Sequence, residues 1–200
     1  QPGMRVVDVG ARVGLHTLPA SQRVGSTGQV IALEPDPRTC ALLRTNLRRN
    51  AARNVTVHQL AAGASAGCRQ LVRSETNTGD NWMATQCTPA ASLPVEVVPL
   101  DALLDGVTAL DVVKIDAQGA DHEVVLGMRQ LLSRFDPTII VEFGPAEIRR
   151  RGQDPRAVLA TYRDLGLRIR VLGQRGEVDV VDAADRAEHR FLTLILDQPR

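Results

Sequence analysis

The sequence lacks a strong excess of charge, a cysteine framework and a long hydrophobic run. Its formal net charge is only +1, which gives no electrostatic basis for a nucleic-acid partner. The three cysteines, Cys40, Cys68 and Cys87, match no zinc spacing, and their odd number argues against a disulfide framework, so we expect a reducing cytoplasm. No apolar run approaches the roughly 20 residues of a membrane span, and no signal peptide is visible, so no membrane partner is expected.

The composition is that of a soluble globular protein. Hydrophobic residues make up 44% of the chain and charged residues 24%, so the 200 residues are sufficient for one domain with its own core. Lys114 is the only lysine, and we attribute the preference for arginine to genome composition. Because Gln1 lies only a few residues before the first predicted strand, we expect the domain to lack N-terminal elements.

Short apolar runs alternate with segments of helical periodicity along most of the chain. This alternation predicts an α/β fold with a mostly parallel, doubly wound sheet and helices on both faces. The segment from Ala62 to Leu93 is weakly periodic and predicts an irregular loop, with a small hairpin around "RQLVR". After this loop, "VEVVPL" predicts an extra strand. The predicted strands are "MRVVDVG", "QVIALEP", "NVTVHQL", "DVVKID", "PTIIVEFGP", "RIRVL" and "RFLTLILD", and the predicted helices are "LHTLPASQR", "DPRTCALLRTNLRRN", "DHEVVLGMRQLLSRF" and "DPRAVLATYRDLG".

Open sheets of this kind bind ligands at the carboxyl ends of their strands. The first strand ends in "VDVGARVG", where Gly10 and Gly14 are spaced G-x-x-x-G and Arg12 stands where a dinucleotide fingerprint has its middle glycine. A side chain there would crowd a pyrophosphate, so the pattern favours a ligand without phosphates and disfavours a nicotinamide oxidoreductase. Asp8 either contacts the ligand through water or fixes the turn.

Glu34 ends the second strand at about the separation from Gly10 where an acid binds a ribose diol, about 20 residues. A carboxylate accepts both hydroxyls and repels a 2′-phosphate. A ribose site without a phosphate site predicts S-adenosylmethionine as the ligand.

Several motifs together resemble the FkbM family of S-adenosylmethionine-dependent methyltransferases. They are "VVDVGARVGLHT", "GQVIALEPDPRTCALLRTNLRRN", "VPLDALL", "VVKIDAQGADHEVVLGM" and "PTIIVEF". The resemblance implies a class I methyltransferase (Rossmann-like) fold, with a seven-stranded sheet whose last strand, "FLTLILD", is antiparallel. It also implies methylation of a hydroxyl oxygen on a small molecule, a sugar or a polyketide-type natural product. The expected cofactor-binding residues are Asp8, Gly10, Arg12, Gly14, His16, Thr17, Glu34, Pro35, Ala61 and Asp116.

The chain departs from the family pattern at several positions. The family usually has Asn at the position of Arg12 and an aromatic residue at that of His16. Its "D-x-E-G-x-E" here runs from Asp116 to Asp121, so an acid is replaced by Gln118 and another is shortened. The alternative to an enzyme is therefore a catalytically silent S-adenosylmethionine-binding or interaction module.

Methyl transfer to an alcohol requires alignment of the acceptor and removal of its proton. The candidate catalytic residues are Asp116 and Glu142, which each end a predicted strand, and Asp121 and His122, which follow Asp116. The alternatives are a helix cap for Asp121 and a solvent-facing position for His122.

Two further interpretations stay open at this stage. Asp116, Asp121 and Glu142 offer oxygen ligands for Mg²⁺ or Ca²⁺, although Gln118 is a weaker ligand than the acid it replaces. The loop "SETNTGDNWMATQC" carries Trp82, which either covers the ligand as part of a lid or packs the loop onto the body of the domain.

Overall fold

A computed structural model describes residues 1–73, 82–83, 92–173, 179–182 and 191–199. The strands in chain order are β1 (Arg5–Val9), β2 (Gln29–Leu33), β3 (Val55–His58), β4 (Ala61–Ala62), β5 (Gly67–Val72), β6 (Trp82–Met83), β7 (Ser92–Val98), β8 (Val112–Ile115), β9 (Thr138–Phe143), β10 (Arg168–Val171) and β11 (Leu192–Asp197). The helices with defined bounds are α1 (Thr17–Val24), α2 (Pro37–Arg49), α3 (Leu100–Leu103), α4 (Asp121–Leu126), α5 (Arg129–Arg134), α6 (Pro145–Arg150) and α7 (Pro155–Asp164).

The main sheet has seven strands in the order β10-β11-β9-β8-β1-β2-β3. Neighbouring strands from β9 to β3 are parallel, whereas β11 runs antiparallel to both β9 and β10. The predicted α/β sheet with an antiparallel last strand is therefore confirmed. The carboxyl ends of β9, β8, β1 and β2 lie side by side at one edge, which is where the sequence placed the site.

Buried aliphatic side chains from the strands form the main core. Val7 of β1, Val113 of β8, Ile139 of β9 and Leu194 of β11 are each fully buried, as expected for strands with helices on both faces. Packing of helices against these strands removes the apolar surface from water and supplies the main driving force for folding.

Helix α2 begins where the sequence predicts. The Asp36 carboxylate accepts hydrogen bonds from the backbone N–H groups of Arg38 and Thr39 at 2.7 and 3.4 Å, and Pro37 occupies the first turn. Leu43 and Leu47, one turn apart, lie on the buried face of the helix. Helix α7 begins in the same way at Asp154.

The predicted helix over "DHEVVLGMRQLLSRF" is instead two short helices, α4 and α5. Gly127, between them, packs so tightly that an added Cβ would overlap the carbonyl oxygen of Gly63. The Asp101 carboxylate then accepts from the backbone N–H groups of Gln130 and Leu131 at 3.0 and 2.9 Å, in the first turn of α5. Distant contacts therefore divide a segment whose local periodicity is continuous.

The prediction of an irregular loop from Ala62 to Leu93 is wrong for the parts that form strands, namely β5, β6 and the start of β7. Strands β4, β7, β5 and β6 form a second sheet in that order, with β5 antiparallel to both β6 and β7. Alternate residues of β7, Val95 and Val97, pack with Ala61 and Leu71 in a small separate core. The predicted strand at "VEVVPL" and the pairing at "RQLVR" are confirmed as β7 and β5.

Candidate active site

The glycine turn after β1 forms one side of the candidate site. The N–H groups of Gly10 and Ala11 both donate to the carbonyl oxygen of Leu33, at 3.0 and 2.9 Å, which joins the turn to the end of β2. Gly10 has a φ of 72° and lies directly against the backbone of Asp116, where an added Cβ would overlap its carbonyl oxygen. A residue with a side chain at position 10 would therefore separate the ends of β1 and β8.

Arg12 and Gly14 complete this turn in left-handed backbone conformations, with φ values of 51° and 98°. An added Cβ on Gly14 would press on a methyl group of Leu43, so the second glycine permits close packing against α2. The Arg12 side chain is exposed, and its backbone N–H donates to Glu34. The turn thus presents its backbone toward the end of β2.

Glu34 is fixed in place by two backbone hydrogen bonds. Its Oε2 accepts from the N–H of Arg12 at 2.9 Å, and its Oε1 accepts from the N–H of Asp36, also at 2.9 Å. The residue is 7% exposed, and burial raises the pKa of its carboxyl group, although the two N–H groups oppose this rise. Because each carboxylate oxygen can accept more than one hydrogen bond, both remain able to accept from a ribose diol.

Asp8 fixes the turn through side-chain contacts. The Thr17 hydroxyl, in the first turn of α1, donates to its Oδ2 at 2.6 Å, and the Lys114 ammonium lies 3.2 Å from its Oδ1. Both Asp8 and Thr17 are buried. Of the two roles left open by the sequence, the structural role of Asp8 is the one these contacts support.

The loop between β8 and α4 carries Asp116, whose carboxylate has a donor on each oxygen. Gln118 Nε2 donates to Oδ1 at 2.9 Å, and Lys114 Nζ lies 3.5 Å from Oδ2. An ionised carboxylate is only an acceptor, so the amide nitrogen of Gln118 must face it. Gln118 has a φ of 49°, which sets the loop in an uncommon left-handed conformation.

Asp121 fixes the same loop through two hydrogen bonds to its backbone. Its Oδ1 accepts from the N–H of Ala117 at 2.8 Å and its Oδ2 from the N–H of Gly119 at 2.9 Å. Because Asp121 is the first residue of α4 and bonds the loop that precedes it, the alternative of a cap for the following helix does not describe its contacts. Burial and the charge of Asp116 raise the pKa of Asp121 to about 6, against the opposing hydrogen bonds.

Glu142 faces this loop from β9, where it is the next-to-last residue of the strand. Among the described residues, the structure gives its carboxylate no hydrogen-bond donor. Burial, followed by the negative charges of Asp116 and Asp121, raises the pKa of Glu142 to about 7. A carboxyl group with this pKa exchanges a proton readily near neutral pH.

His122 is buried, so the alternative of a solvent-facing histidine is wrong. Its Nε2 lies 2.8 Å from Nε2 of Gln153, and which of the two nitrogens donates depends on the tautomer of the ring. Nδ1 is itself buried without a partner, and burial lowers the pKa of the imidazole. Helix α4 turns this side chain inward beside Asp121 and Glu142, which line the same small cavity.

The other predicted cofactor-binding residues, His16, Pro35 and Ala61, come after β1, β2 and β3 in the chain. His16 is exposed at the start of α1, and Pro35 follows Glu34 directly. Ala61 is buried in β4, where it pairs with Val97 of the second sheet. The loop that carries Trp82, proposed above as a lid, lies mostly in residues 74–81 and 84–91, which the structure does not describe. The side chain of Trp82 is not described either.

Sequence reasoning missed Lys114 as a site residue. Its Nζ contacts Asp8 and Asp116 and donates to the carbonyl oxygen of Gly10 at 3.2 Å. The available signal in the sequence is the position of this single lysine one residue before the end of an apolar strand.

The described residues contain no group of three histidine, cysteine or acidic side chains placed to hold a metal ion, so the oxygen-rich metal site suggested by the sequence is not found among them. None of the helices in these ranges is both long and apolar enough to cross a membrane.

A family model described as the methyltransferase FkbM domain matches residues 8–169. No curated protein matches the chain. Among solved structures, the methyltransferase FkbM from Methylobacillus flagellatus KT is similar with a TM-score of 0.63 and 19% identity, over 98% of this chain and 44% of that one. The chain thus spans less than half of that relative.

Two further structures show the same fold. A protein from Streptococcus mutans in complex with SAH has a TM-score of 0.56 at 7% identity, over 100% of this chain and 90% of that chain. An rRNA methylase from Streptococcus thermophilus has a TM-score of 0.52 at 12% identity, over 98% of this chain and 87% of that chain.

The order and direction of the strands in the main sheet agree with these comparisons. The fold is the class I, Rossmann-like methyltransferase fold, and the cofactor is S-adenosylmethionine, so both predictions are confirmed. Glu34, whose carboxylate oxygens each accept one backbone hydrogen bond and can accept another, fits the ribose of this cofactor. The chain belongs to the FkbM methyltransferase family, as its sequence motifs indicated.

Proposed function

We propose that this domain transfers a methyl group from S-adenosylmethionine to a hydroxyl oxygen of a small molecule, a sugar or a polyketide-type natural product, in the cytoplasm. The observation that carries the proposal is Glu142. It is a partly buried carboxyl group with a pKa of about 7 and without a hydrogen-bond donor among the described residues, at the same sheet edge as the glycine turn and Glu34.

The cofactor supplies an electrophilic methyl group bonded to a positively charged sulfur. The chain must therefore align the acceptor oxygen and take its proton. The acceptor oxygen would form the new O–C bond while the C–S bond breaks, and the electron pair of the C–S bond would stay on sulfur. Glu142 would take the hydroxyl proton on a carboxylate oxygen.

The four candidate catalytic residues differ in their freedom to accept that proton. Both oxygens of Asp121 accept backbone hydrogen bonds, and both oxygens of Asp116 face Gln118 or Lys114. We therefore assign Asp121 to holding the loop and Asp116 to orienting the cofactor or the acceptor. His122 is bound to Gln153 and supports the wall of the cavity, which leaves Glu142 as the general base.

Cofactor binding is tested first, by calorimetric titration of S-adenosylmethionine into the wild type and into Glu34→Ala and Glu34→Gln. Loss of the ribose contacts removes hydrogen bonds to a charged group worth about 1.5–3 kcal/mol, so affinity falls at least about tenfold. Glu96→Gln, the same change at an exposed site on β7, is the matched control and keeps wild-type affinity.

Turnover is tested by formation of S-adenosylhomocysteine with a panel of sugars, polyketide-type alcohols and RNA fragments. Glu142→Gln lowers kcat by about 10²–10⁴-fold, the usual contribution of a general base, and Glu96→Gln leaves it unchanged. Turnover with RNA and with no other acceptor would show that the acceptor is a nucleic acid and not a small molecule. Cofactor binding without turnover on any acceptor would favour the silent binding module. An unchanged kcat in Glu142→Gln would show that Glu142 is not the general base.

A further inference from the structure

Lys114 is the single lysine among the 24 lysine and arginine residues of the chain. It occupies the next-to-last position of β8, in the middle of the main sheet, and its side chain is only 16% exposed. A charged group so far from water is unfavourable unless other charges and dipoles compensate it. The atoms around its ammonium group indicate what this cation does.

Four oxygen atoms surround Lys114 Nζ. The carboxylate oxygens are Asp8 Oδ1 at 3.2 Å and Asp116 Oδ2 at 3.5 Å. The other two are the backbone carbonyl oxygens of Gly10 at 3.2 Å and Val9 at 3.4 Å. Three of these residues belong to the end of β1 and the glycine turn, whereas Asp116 begins the loop that faces Glu142.

Asp8 depends on its contact with the Lys114 ammonium group. Its Oδ1 is buried and has no other partner among the described residues, since Thr17 donates to the second oxygen. Removal of the ammonium would therefore leave a buried carboxylate oxygen without compensation, directly beneath the turn. The turn and the cation stabilise each other.

The geometry also explains why a lysine, and not an arginine, stands here. An ammonium group is a compact point charge with three donors that can turn toward oxygens on several sides. A guanidinium group is a planar fork that suits a single carboxylate. The oxygens around Lys114 come from two strand ends, so a compact cation is required.

We propose that Lys114 is a positioning residue that couples the cofactor turn to the loop of Asp116, so that cofactor binding and the geometry of the acceptor side depend on one cation. This inference rests on the proposed function, because it places S-adenosylmethionine at the turn and the acceptor beside Glu142, which the loop faces. The close contact of Gly10 with the Asp116 backbone is a second, independent link between the same two segments.

The first test uses Lys114→Met, which keeps the length of the side chain and removes its charge. We expect the dissociation constant of S-adenosylmethionine to rise about tenfold, in keeping with the loss of charged hydrogen bonds. Lys114→Arg keeps the charge, but its planar guanidinium group does not suit oxygens on several sides. We expect this variant to recover less than half of the lost binding free energy. Arg49→Met, which removes an exposed charge at the end of α2, is the control and leaves affinity unchanged.

A second readout separates positioning from a general loss of structure. The charges that face Glu142 are Asp116, Asp121 and Glu147, which raise its pKa, and Lys114, which lowers it. In Lys114→Met the low-pH limb of the kcat profile should therefore move to higher pH. Glu34→Gln weakens cofactor binding without moving that limb, so the two variants differ in a way that instability cannot imitate.

The wild-type protein provides a third readout that needs no variant. Selective ¹³C labelling of lysine gives a single side-chain ε-carbon signal, which belongs to Lys114. Addition of S-adenosylmethionine should shift this signal, and in Asp116→Asn the signal should begin at a different position. An ε-carbon signal that stays fixed while calorimetry records binding would overturn the coupling. Lack of binding by a folded wild type would instead remove the proposed function and this inference together.

Discussion

Replacement of Gly10 by alanine tests the contact on which the candidate site is built. Gly10 has a φ of 72°, and a left-handed conformation costs a residue with a Cβ about 1–2 kcal/mol. The added Cβ would also lie well within 3.0 Å of the Asp116 carbonyl oxygen, a backbone atom that cannot rotate away. Overpacking of this kind costs about 1–3 kcal/mol. We therefore expect Gly10→Ala to lower the free energy of unfolding by about 2–5 kcal/mol.

The matched control is Gly166→Ala. Gly166 has a φ of 78°, close to that of Gly10, but no atom lies within 4 Å of an added Cβ. Gly166→Ala should therefore lower the free energy of unfolding only by the conformational cost, about 1–2 kcal/mol. Urea unfolding followed by circular dichroism measures both variants, and calorimetry measures their affinity for S-adenosylmethionine. Equal destabilisation of the two variants, or full cofactor binding by Gly10→Ala, would refute the close approach of β1 to β8.

Three further changes test other parts of the structure. Thr17→Val removes the buried hydrogen bond to Asp8 and should cost about 1.5–3 kcal/mol in urea unfolding, whereas no change would mean that Asp8 finds another donor. Ala51→Gly relieves a residue with a φ of 51° after α2 and should stabilise the protein by up to about 1 kcal/mol in thermal unfolding. Because the folded pKa of Glu142 is raised, its ionisation destabilises the protein as pH rises from about 4 to 7, so Glu142→Gln should gain stability relative to wild type over that range, and a constant difference would contradict the raised pKa.

The sequence predicts those features of the fold that depend on local signals. Asp36 and Pro37 set the start of α2 through bonds to their immediate neighbours, and the buried strands are visible as apolar runs. The position of the site follows as well, because carboxyl ends of parallel strands necessarily meet at one edge. The structure places Gly10 and Glu34 at this edge, as expected, and their binding of one ligand stays a prediction.

The features that the sequence did not reveal depend on contacts between distant segments. The break between α4 and α5 depends on the packing of Gly127 against Gly63, and the second sheet depends on pairing between β5 and β7. The burial of His122 depends in the same way on Gln153, which follows α6. Local periodicity carries no information about such partners, so these features required the three-dimensional structure.

Gln118 was the strongest reason in the sequence to doubt that the site works, because the FkbM pattern has an acid at this position. The structure gives the amide a defined contact, since its nitrogen donates to Asp116 at 2.9 Å. A carboxylate could not make this hydrogen bond and would instead place a second negative charge beside Asp116, within a loop that already contains Asp121. The amide therefore lowers the negative charge of the loop while keeping Asp116 oriented. Gln118 therefore makes the loop less attractive to cations than an acid would, while Asp116 keeps a hydrogen-bond donor on its Oδ1.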